Sequence, residues 1–150
     1  MTENEFRIIH SRLIGCYQEI EWRMKCLCAA LCFGEGKNWF QKMDDFDSDP
    51  LGKMIQLLQA VQQQKQLELL TPEEILSLND LRETRNWWVH QCFTNTEKCV
   101  TFSKGKLRKS MYEDMLKRDF DDALRWEERI TEIELAAVDK YIRPDIMKTI

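Results

Sequence analysis

Length, composition and charge restrict the class of protein. The chain has 150 residues, of which 43% are hydrophobic and 32% charged, with 5 glycines and 3 prolines. This composition excludes collagen-like, disordered and turn-rich all-β proteins. A chain of this length forms one sizeable core, so we interpret residues 1–150 as a single domain. The net charge of −4 disfavours a protein that coats DNA without sequence preference.

The N-terminal sequence and the hydropathy pattern predict where the protein resides. The chain does not begin with a basic stretch followed by an apolar segment, and its longest apolar run is only Cys26 to Phe33. A membrane-spanning helix needs about 20 apolar residues. We therefore expect no secretory leader, no contact with a membrane and a cytoplasmic location.

The six cysteines point to reduced thiols. They are Cys16, Cys26, Cys28, Cys32, Cys92 and Cys99. Without a secretion signal, such cysteines usually pack as small hydrophobic residues. A zinc site would need paired Cys-x-x-Cys motifs or a nearby histidine, and the run of cysteines from residue 26 to residue 32 has neither. Zinc binding and redox sensing stay open as alternatives, but we expect no metal and no cofactor.

The first predicted element is a long amphipathic helix. Thr2 and Glu5 have the spacing of a capping box, and apolar residues then recur with a helical period from residue 6 to residue 31. Gly34 and Gly36 are expected to end this helix.

A loop or short turn is expected over residues 37–49, and a second helix after it. Asp49 is a suitable cap and Pro50 fits the first helical turn. The apolar pattern extends this second helix to about Leu69.

The third predicted helix begins at an especially clear signal. Thr71 is the cap, Pro72 occupies the first position, and Glu74 completes a capping box. Residues 94–105 form a polar connection, in which residues 99–102 have the composition of a short extended segment.

A fourth long helix is predicted from Ser110, with Glu113 at capping-box spacing, to a point before Pro144. The predicted fold is therefore all-α. Four main helices with short connections favour an antiparallel bundle, with a fifth short helix as a variant of the same architecture.

The third helix contains the motif Arg85-Asn86-Trp87-Trp88-Val89-His90. An Arg followed at this distance by a His is common by chance, but the Asn directly after the Arg makes the pattern much rarer. In a regular helix, Arg85 falls in the middle of an apolar stripe formed by Leu78, Leu81, Trp88 and Cys92.

An unpaired guanidinium in a core costs several kcal/mol, so we expect Arg85 to meet an anion. That anion is either an acidic residue of another helix or a bound phosphate; alternatively, the side chain extends outward to solvent. His90 lies about 140° around the helix from Arg85. A two-fold interface would bring two copies of each residue into one cleft, whereas a lone histidine is more often a packing residue.

The segment from Leu81 to His90 resembles the Arg-Asn-x-x-x-His signature of HEPN domains, which are small helical bundles that include ribonuclease toxins of toxin–antitoxin and phage-defence systems. The resemblance implies that Arg85 and His90 are the catalytic pair, that Asn86 supports them, and that the active cleft forms in a homodimer. It also implies an antitoxin protein as a partner. Cys92 stands where members paired with a nucleotidyltransferase antitoxin often have Tyr, so modification at that position is not expected.

The chemistry of these residue types agrees with the resemblance. An imidazole can donate or accept a proton near neutral pH, and a planar guanidinium can bind two phosphate oxygens. The resulting hypothesis is a metal-independent endoribonuclease whose substrate is RNA, because the 2′-hydroxyl is the nucleophile. The alternatives are a non-catalytic HEPN-like module that binds a nucleotide or a partner protein, and a purely structural helical protein in which Arg85 is ion-paired within one chain.

Charge is unevenly distributed along the chain. Residues 98–118 contain seven basic and two acidic side chains, whereas residues 119–139 contain two basic and eight acidic ones. The basic segment follows the motif and is suited to binding an RNA backbone, although a solvated loop explains it equally well. The candidate RNA-binding residues are Lys98, Lys104, Lys106, Arg108 and Lys109.

Overall fold

A computed structural model describes residues 1–32, 51–94 and 97–144. These residues form four long helices, one π-helical turn and one short hairpin. They are α1 (Glu3–Leu31), α2 (Leu51–Gln64), α3 (Pro72–Asn86), the π-turn (Trp87–Gln91), β1 (Phe102–Ser103), β2 (Lys106–Leu107) and α4 (Met111–Tyr141). The predicted all-α class is confirmed.

Two of the predicted helix starts are confirmed in detail. The Thr2 hydroxyl accepts the Glu5 amide at 3.2 Å, and the Glu5 carboxylate accepts the Thr2 amide at 2.8 Å. Thr71 and Glu74 repeat this reciprocal pair at 3.1 and 3.2 Å. Each cap satisfies amide groups that the first helical turn cannot pair, a contribution of about 1 kcal/mol.

The other helix ends differ from the prediction. Ser110 is the N-cap of α4, but its hydroxyl caps no amide, since its backbone is helical (φ −60°, ψ −23°) and not extended as at Thr2 and Thr71. The carboxylate of Glu113 binds Lys117 at 2.9 Å and closes no capping box. Helix α4 ends at Tyr141, before Pro144 as predicted. The predicted glycine stop of α1, the loop over residues 37–49 and the Asp49-Pro50 start lie outside the described residues.

Helix α2 is shorter than predicted, since it ends at Gln64 rather than near Leu69. Gln66 takes a positive φ of 54°, which breaks the helical path. The side-chain amide of Gln62 then binds both backbone groups of Leu70, at 3.0 and 3.2 Å. This side chain fixes the tight connection into α3.

The helices do not all alternate in direction. α3 runs antiparallel to α4, since Glu74 meets Arg129 and Trp88 meets Asp119. α1 and α4 instead run in the same direction: the amino group of Met1 lies 3.7 Å from Glu113, and Arg23 lies 3.1 Å from Glu134. The antiparallel arrangement thus holds for α3 against its neighbours but not for the pair α1 and α4, which make the most extensive helix contact.

The core lies between the four helices and residues 85–92, which we call the motif segment. Its largest fully buried side chains include Trp88, Tyr17 and Phe6. Five of the six cysteines are buried and none is in a disulfide. Burial raises the pKa of Cys26 and Cys92 to about 11, so these thiols stay protonated and act as small core residues, as predicted.

The hairpin closes one end of the bundle. Phe102 pairs with Leu107 across a two-residue turn in which Lys104 and Gly105 both have positive φ, 51° and 74°, the geometry of a type I′ turn. The carbonyl of Gly105 accepts the Glu3 amide at 2.8 Å. The predicted extended segment at residues 99–102 overlaps this hairpin only at Phe102.

Candidate functional site

The motif lies where α3 changes into the π-turn. Arg85 and Asn86 are the last residues of α3, and His90 belongs to the π-turn, which is closed by a bond of 2.8 Å from the Cys92 amide to the Trp87 carbonyl. The sequence predicted a continuous α-helix through this segment, and that expectation is wrong. Single π-turns within helices occur frequently at functional sites.

Arg85 meets an acidic residue of another helix. Its Nη2 atom lies 2.6 Å from Glu21 Oε1 on α1, and its Nη1 donates to Asn86 Oδ1 at 2.8 Å. The two charged side chains are 24% and 23% exposed. The structure therefore shows the ion-paired alternative for Arg85, with part of its side chain still accessible to solvent.

Several polar atoms around this pair lack hydrogen bonds. Tyr17 Oη and Arg85 Nε are buried without a partner, and Glu21 Oε1 makes its ion pair without hydrogen-bond geometry. Burial raises the pKa of Tyr17, and the negative charge of Asp119 raises it further. The hydroxyl of Tyr17 is therefore neutral. We call Tyr17, Glu21, Arg85 and Asn86 the arginine cluster.

His90 lies apart from the arginine cluster. It is exposed, and its carbonyl accepts the Thr94 hydroxyl at 3.0 Å. Among the described residues, its ring makes no hydrogen bond, ion pair or ring contact. The structure brings Arg85 and Asn86 together, but within one chain no such contact joins His90 to either of them.

The other histidine anchors the π-turn, a role that the sequence did not reveal. His10 Nε2 lies 2.9 Å from the carbonyl oxygen of Trp88, and Cys92 Sγ lies 3.1 Å from the same oxygen. Because a carbonyl only accepts, Nε2 carries a proton. His10 thus satisfies a carbonyl that the π-turn leaves available, and it ties α1 to the motif segment.

A cleft of about 610 Å³ lies beside the motif. One side is formed by Glu83, Thr84 and Trp87, and the other by Met111, Tyr112 and Met115. We call it the Trp87 cleft. The Trp87 ring lies 6.0 Å from that of Tyr112, with 15° between the planes.

The cleft gathers part of the predicted basic surface. Lys98 and Lys109 line it, together with Arg118, which was not among the predicted RNA-binding residues. Lys104, Lys106 and Arg108 instead lie exposed on or next to the hairpin. Arg118 is the last residue of the basic segment 98–118, but it lies within α4 and well beyond Lys109 in sequence, so only the tertiary fold shows that both residues line one cleft.

Comparison of the chain with family models, curated proteins and solved structures finds no match. In the described part of the chain, no three His, Cys, Asp or Glu side chains are grouped so as to hold a metal ion. No helix of the described ranges is long and apolar enough to cross a membrane.

Proposed function

We propose that this protein is a HEPN-like, metal-independent endoribonuclease that acts as a homodimer. One observation carries the proposal. The motif places a partly accessible arginine, oriented by Glu21 and Asn86, in the same short segment as a histidine whose ring no described group engages. A charged, oriented guanidinium and an available imidazole are what cleavage of RNA without a metal requires.

The roles follow from the chemistry. One His90 accepts the proton of the 2′-hydroxyl, whose oxygen attacks the adjacent phosphorus. The bond to the 5′-oxygen breaks, and a second His90 protonates that leaving oxygen. The products are a 2′,3′-cyclic phosphate and a 5′-hydroxyl. Arg85 stabilises the negative charge of the phosphorane: a guanidinium has five N–H donors, and Glu21 and Asn86 occupy only part of them.

The dimer is part of the proposal because one chain separates the two catalytic groups. Val89 and Phe93 flank His90 and are 37% and 39% exposed. A two-fold contact across the π-turn would cover this apolar surface and bring the second His90 close. A partner protein that covers the same surface would inhibit the enzyme, which is how we expect an antitoxin to act.

The second candidate function is a non-catalytic HEPN-like module that binds a nucleotide or a partner protein. The ion pair between Arg85 and Glu21 favours it, because the acidic group already compensates the charge of the arginine within one chain. The presence of the Trp87 cleft favours it as well. Cleavage of RNA separates the two candidates.

The decisive experiment incubates the protein with labelled RNA in excess EDTA. We expect cleavage by the wild type, and loss of at least about 100-fold in rate for Arg85→Ala and His90→Ala. Matched controls are Arg125→Ala, which removes an exposed arginine of α4, and Gln91→Ala, which changes the exposed neighbour of His90. Both should cleave like the wild type and release cyclic phosphate ends.

Mass measurement by light scattering accompanies the assay. A dimer with intact RNA in every sample would overturn the nuclease proposal and leave the binding module. A monomer that cleaves RNA would overturn the composite site.

A further inference from the structure

The Trp87 cleft has the size and composition of a site for one nucleotide. Its volume of about 610 Å³ lies within the range typical of small-ligand sites, about 300–1,000 Å³. Aromatic and methionine side chains form five of its eleven lining residues, and the cations Lys98, Lys109 and Arg118 line it as well. We propose that the cleft binds a nucleotide, with the base against Trp87 and the phosphate held by Lys109 and Arg118.

The wall that receives the base is rigid. Trp87 is partly exposed, whereas Trp88 and Tyr112 beside it are buried. The Trp87 ring packs edge-on against Trp88, at 4.7 Å between centroids, and nearly parallel to Tyr112. These neighbours hold the ring in place, so little side-chain entropy is lost when a base packs on it. Stacking of this kind tolerates any base, because every base has an aromatic face.

The cationic side is also arranged in advance. Arg118 Nε donates to Asp119 Oδ1 at 3.2 Å, while the other oxygen of Asp119 accepts the Trp88 indole at 2.8 Å. Asp119 therefore orients the Arg118 guanidinium and leaves both of its Nη groups for a phosphate. Lys109 is exposed on the same side. Glu83 on the α3 side repels a phosphate, so the ligand has a defined orientation.

The required chemistry is a base joined to a phosphate, which a single-stranded RNA and a free nucleoside monophosphate both supply. If the ligand is RNA, the inference rests on the proposed nuclease function, and the cleft would hold a nucleotide next to the scissile bond. If the ligand is a free nucleotide, the inference does not depend on that function.

The test measures binding of two probes to the full chain. One is a fluorescent RNA hexamer with 2′-O-methyl riboses, which lacks the nucleophile and is not cleaved, followed by anisotropy. The other is adenosine 5′-monophosphate, followed by calorimetry. We expect Lys109→Ala/Arg118→Ala to weaken binding of the hexamer at least about tenfold. The salt dependence of hexamer binding, which is the slope of log K against log salt, should fall by about 0.7, since the two cations hold one phosphate and each neutralised phosphate of a single strand contributes about 0.7.

A charge-matched control is Lys53→Ala/Lys65→Ala, which removes two exposed lysines from α2 and its C-terminal end. Trp87→Leu should weaken binding about fivefold or more with the salt slope unchanged. Its control is Trp22→Leu, which changes a tryptophan of α1 that is 49% exposed. Far-ultraviolet circular dichroism checks that each variant is folded.

Each outcome of the binding experiments either supports the proposed site or overturns it. Weakened binding of the hexamer alone identifies a strand of RNA as the ligand, and weakened binding of the monophosphate as well identifies a nucleotide in general. Equal binding by the two double variants, or no binding of either probe to the wild type, overturns the proposal. If Lys109→Ala/Arg118→Ala weakens binding of the hexamer as expected but Trp87→Leu does not, the placement of the base against Trp87 is overturned. A wild type that binds the hexamer as expected but leaves unmodified RNA uncleaved defeats the nuclease proposal alone.

Discussion

The two faces of the motif segment differ in their contacts with the rest of the protein. On the buried face, Arg85, Trp88 and Cys92 each contact a group of α1 or α4. On the other face, Val89 and His90 are exposed, and no described polar group binds their side chains. The fold therefore depends on one face and not on the other. A histidine that stability does not require is available for chemistry, and the following predictions test this difference.

The largest effect is expected at Trp88. Trp88→Ala removes the largest fully buried side chain and leaves the Asp119 carboxylate without the indole donor. We expect a loss of about 3–5 kcal/mol in the free energy of unfolding, measured by urea denaturation. Trp22→Ala, at an exposed position of α1, should cost far less. Equal losses for the two variants would show that the buried face does not hold the segment.

The ion pair of Arg85 comes next. Arg85→Ala leaves Glu21 half-buried without its cation, which we expect to cost about 1–2 kcal/mol, less than the roughly 3–5 kcal/mol of a fully buried pair. The double variant Glu21→Ala/Arg85→Ala should recover part of this loss. A coupling free energy near zero in the double-mutant cycle would contradict the pairing.

The anchor of the π-turn should contribute less. His10→Ala removes the donor that binds the Trp88 carbonyl, a loss of about 1 kcal/mol. Amide hydrogen exchange should accelerate at residues 87–92 more than in the preceding helix α3. Uniform acceleration along α3 would mean that His10 stabilises the whole helix and not the turn.

A smaller, pH-dependent effect is expected at the other end of α3. The hydrogen bond from Arg129 lowers the pKa of Glu74 below its usual 4.5. The stabilisation is therefore present above about pH 4.5 and is lost as the pH falls through the lowered value. In Glu74→Gln, the side-chain oxygen can still accept the Thr71 amide, so the substitution should lower the free energy of unfolding by under about 1 kcal/mol at pH 7.

The same substitution should also weaken the dependence of stability on pH below 4.5. Glu73→Gln, at the exposed neighbouring position, is the control. Identical pH profiles for Glu74→Gln and the wild type would contradict the role of Arg129.

The smallest effect on stability belongs to the exposed face. His90→Ala should change the free energy of unfolding by no more than about 0.5 kcal/mol, while it lowers RNA cleavage about 100- to 10,000-fold. Thermal unfolding and the cleavage assay on the same preparation measure both quantities. A large loss of stability would place His90 among the structural residues.

Local signals in the sequence were sufficient for much of the fold. The capping boxes at Thr2 and Thr71 act through residues three positions apart, so the sequence shows them directly. The helical class follows from composition and periodicity in the same way. The early end of α2 was not predicted. The side chain of Gln62 fixes this end by binding Leu70, which lies beyond the helix. The apolar pattern continues past Gln64 and therefore does not mark the end.

The site was less predictable because it depends on contacts between distant segments. The sequence required an anion for Arg85, yet it did not identify Glu21 among many acidic residues. The π-turn has no composition of its own, since His10 and the packing of Trp88 stabilise it from outside the segment. The parallel direction of α1 and α4 likewise follows from tertiary packing and not from either helix alone.

That parallel pairing has a consequence for how the protein forms. The main packing partner of α1, which starts at Glu3, is α4, which starts at Met111. Contacts of such sequence separation close slowly, and a ribosome releases the first helix long before the last. Until α4 emerges, the apolar face of α1 lacks its principal cover, so we expect this face to be exposed on the unfinished chain.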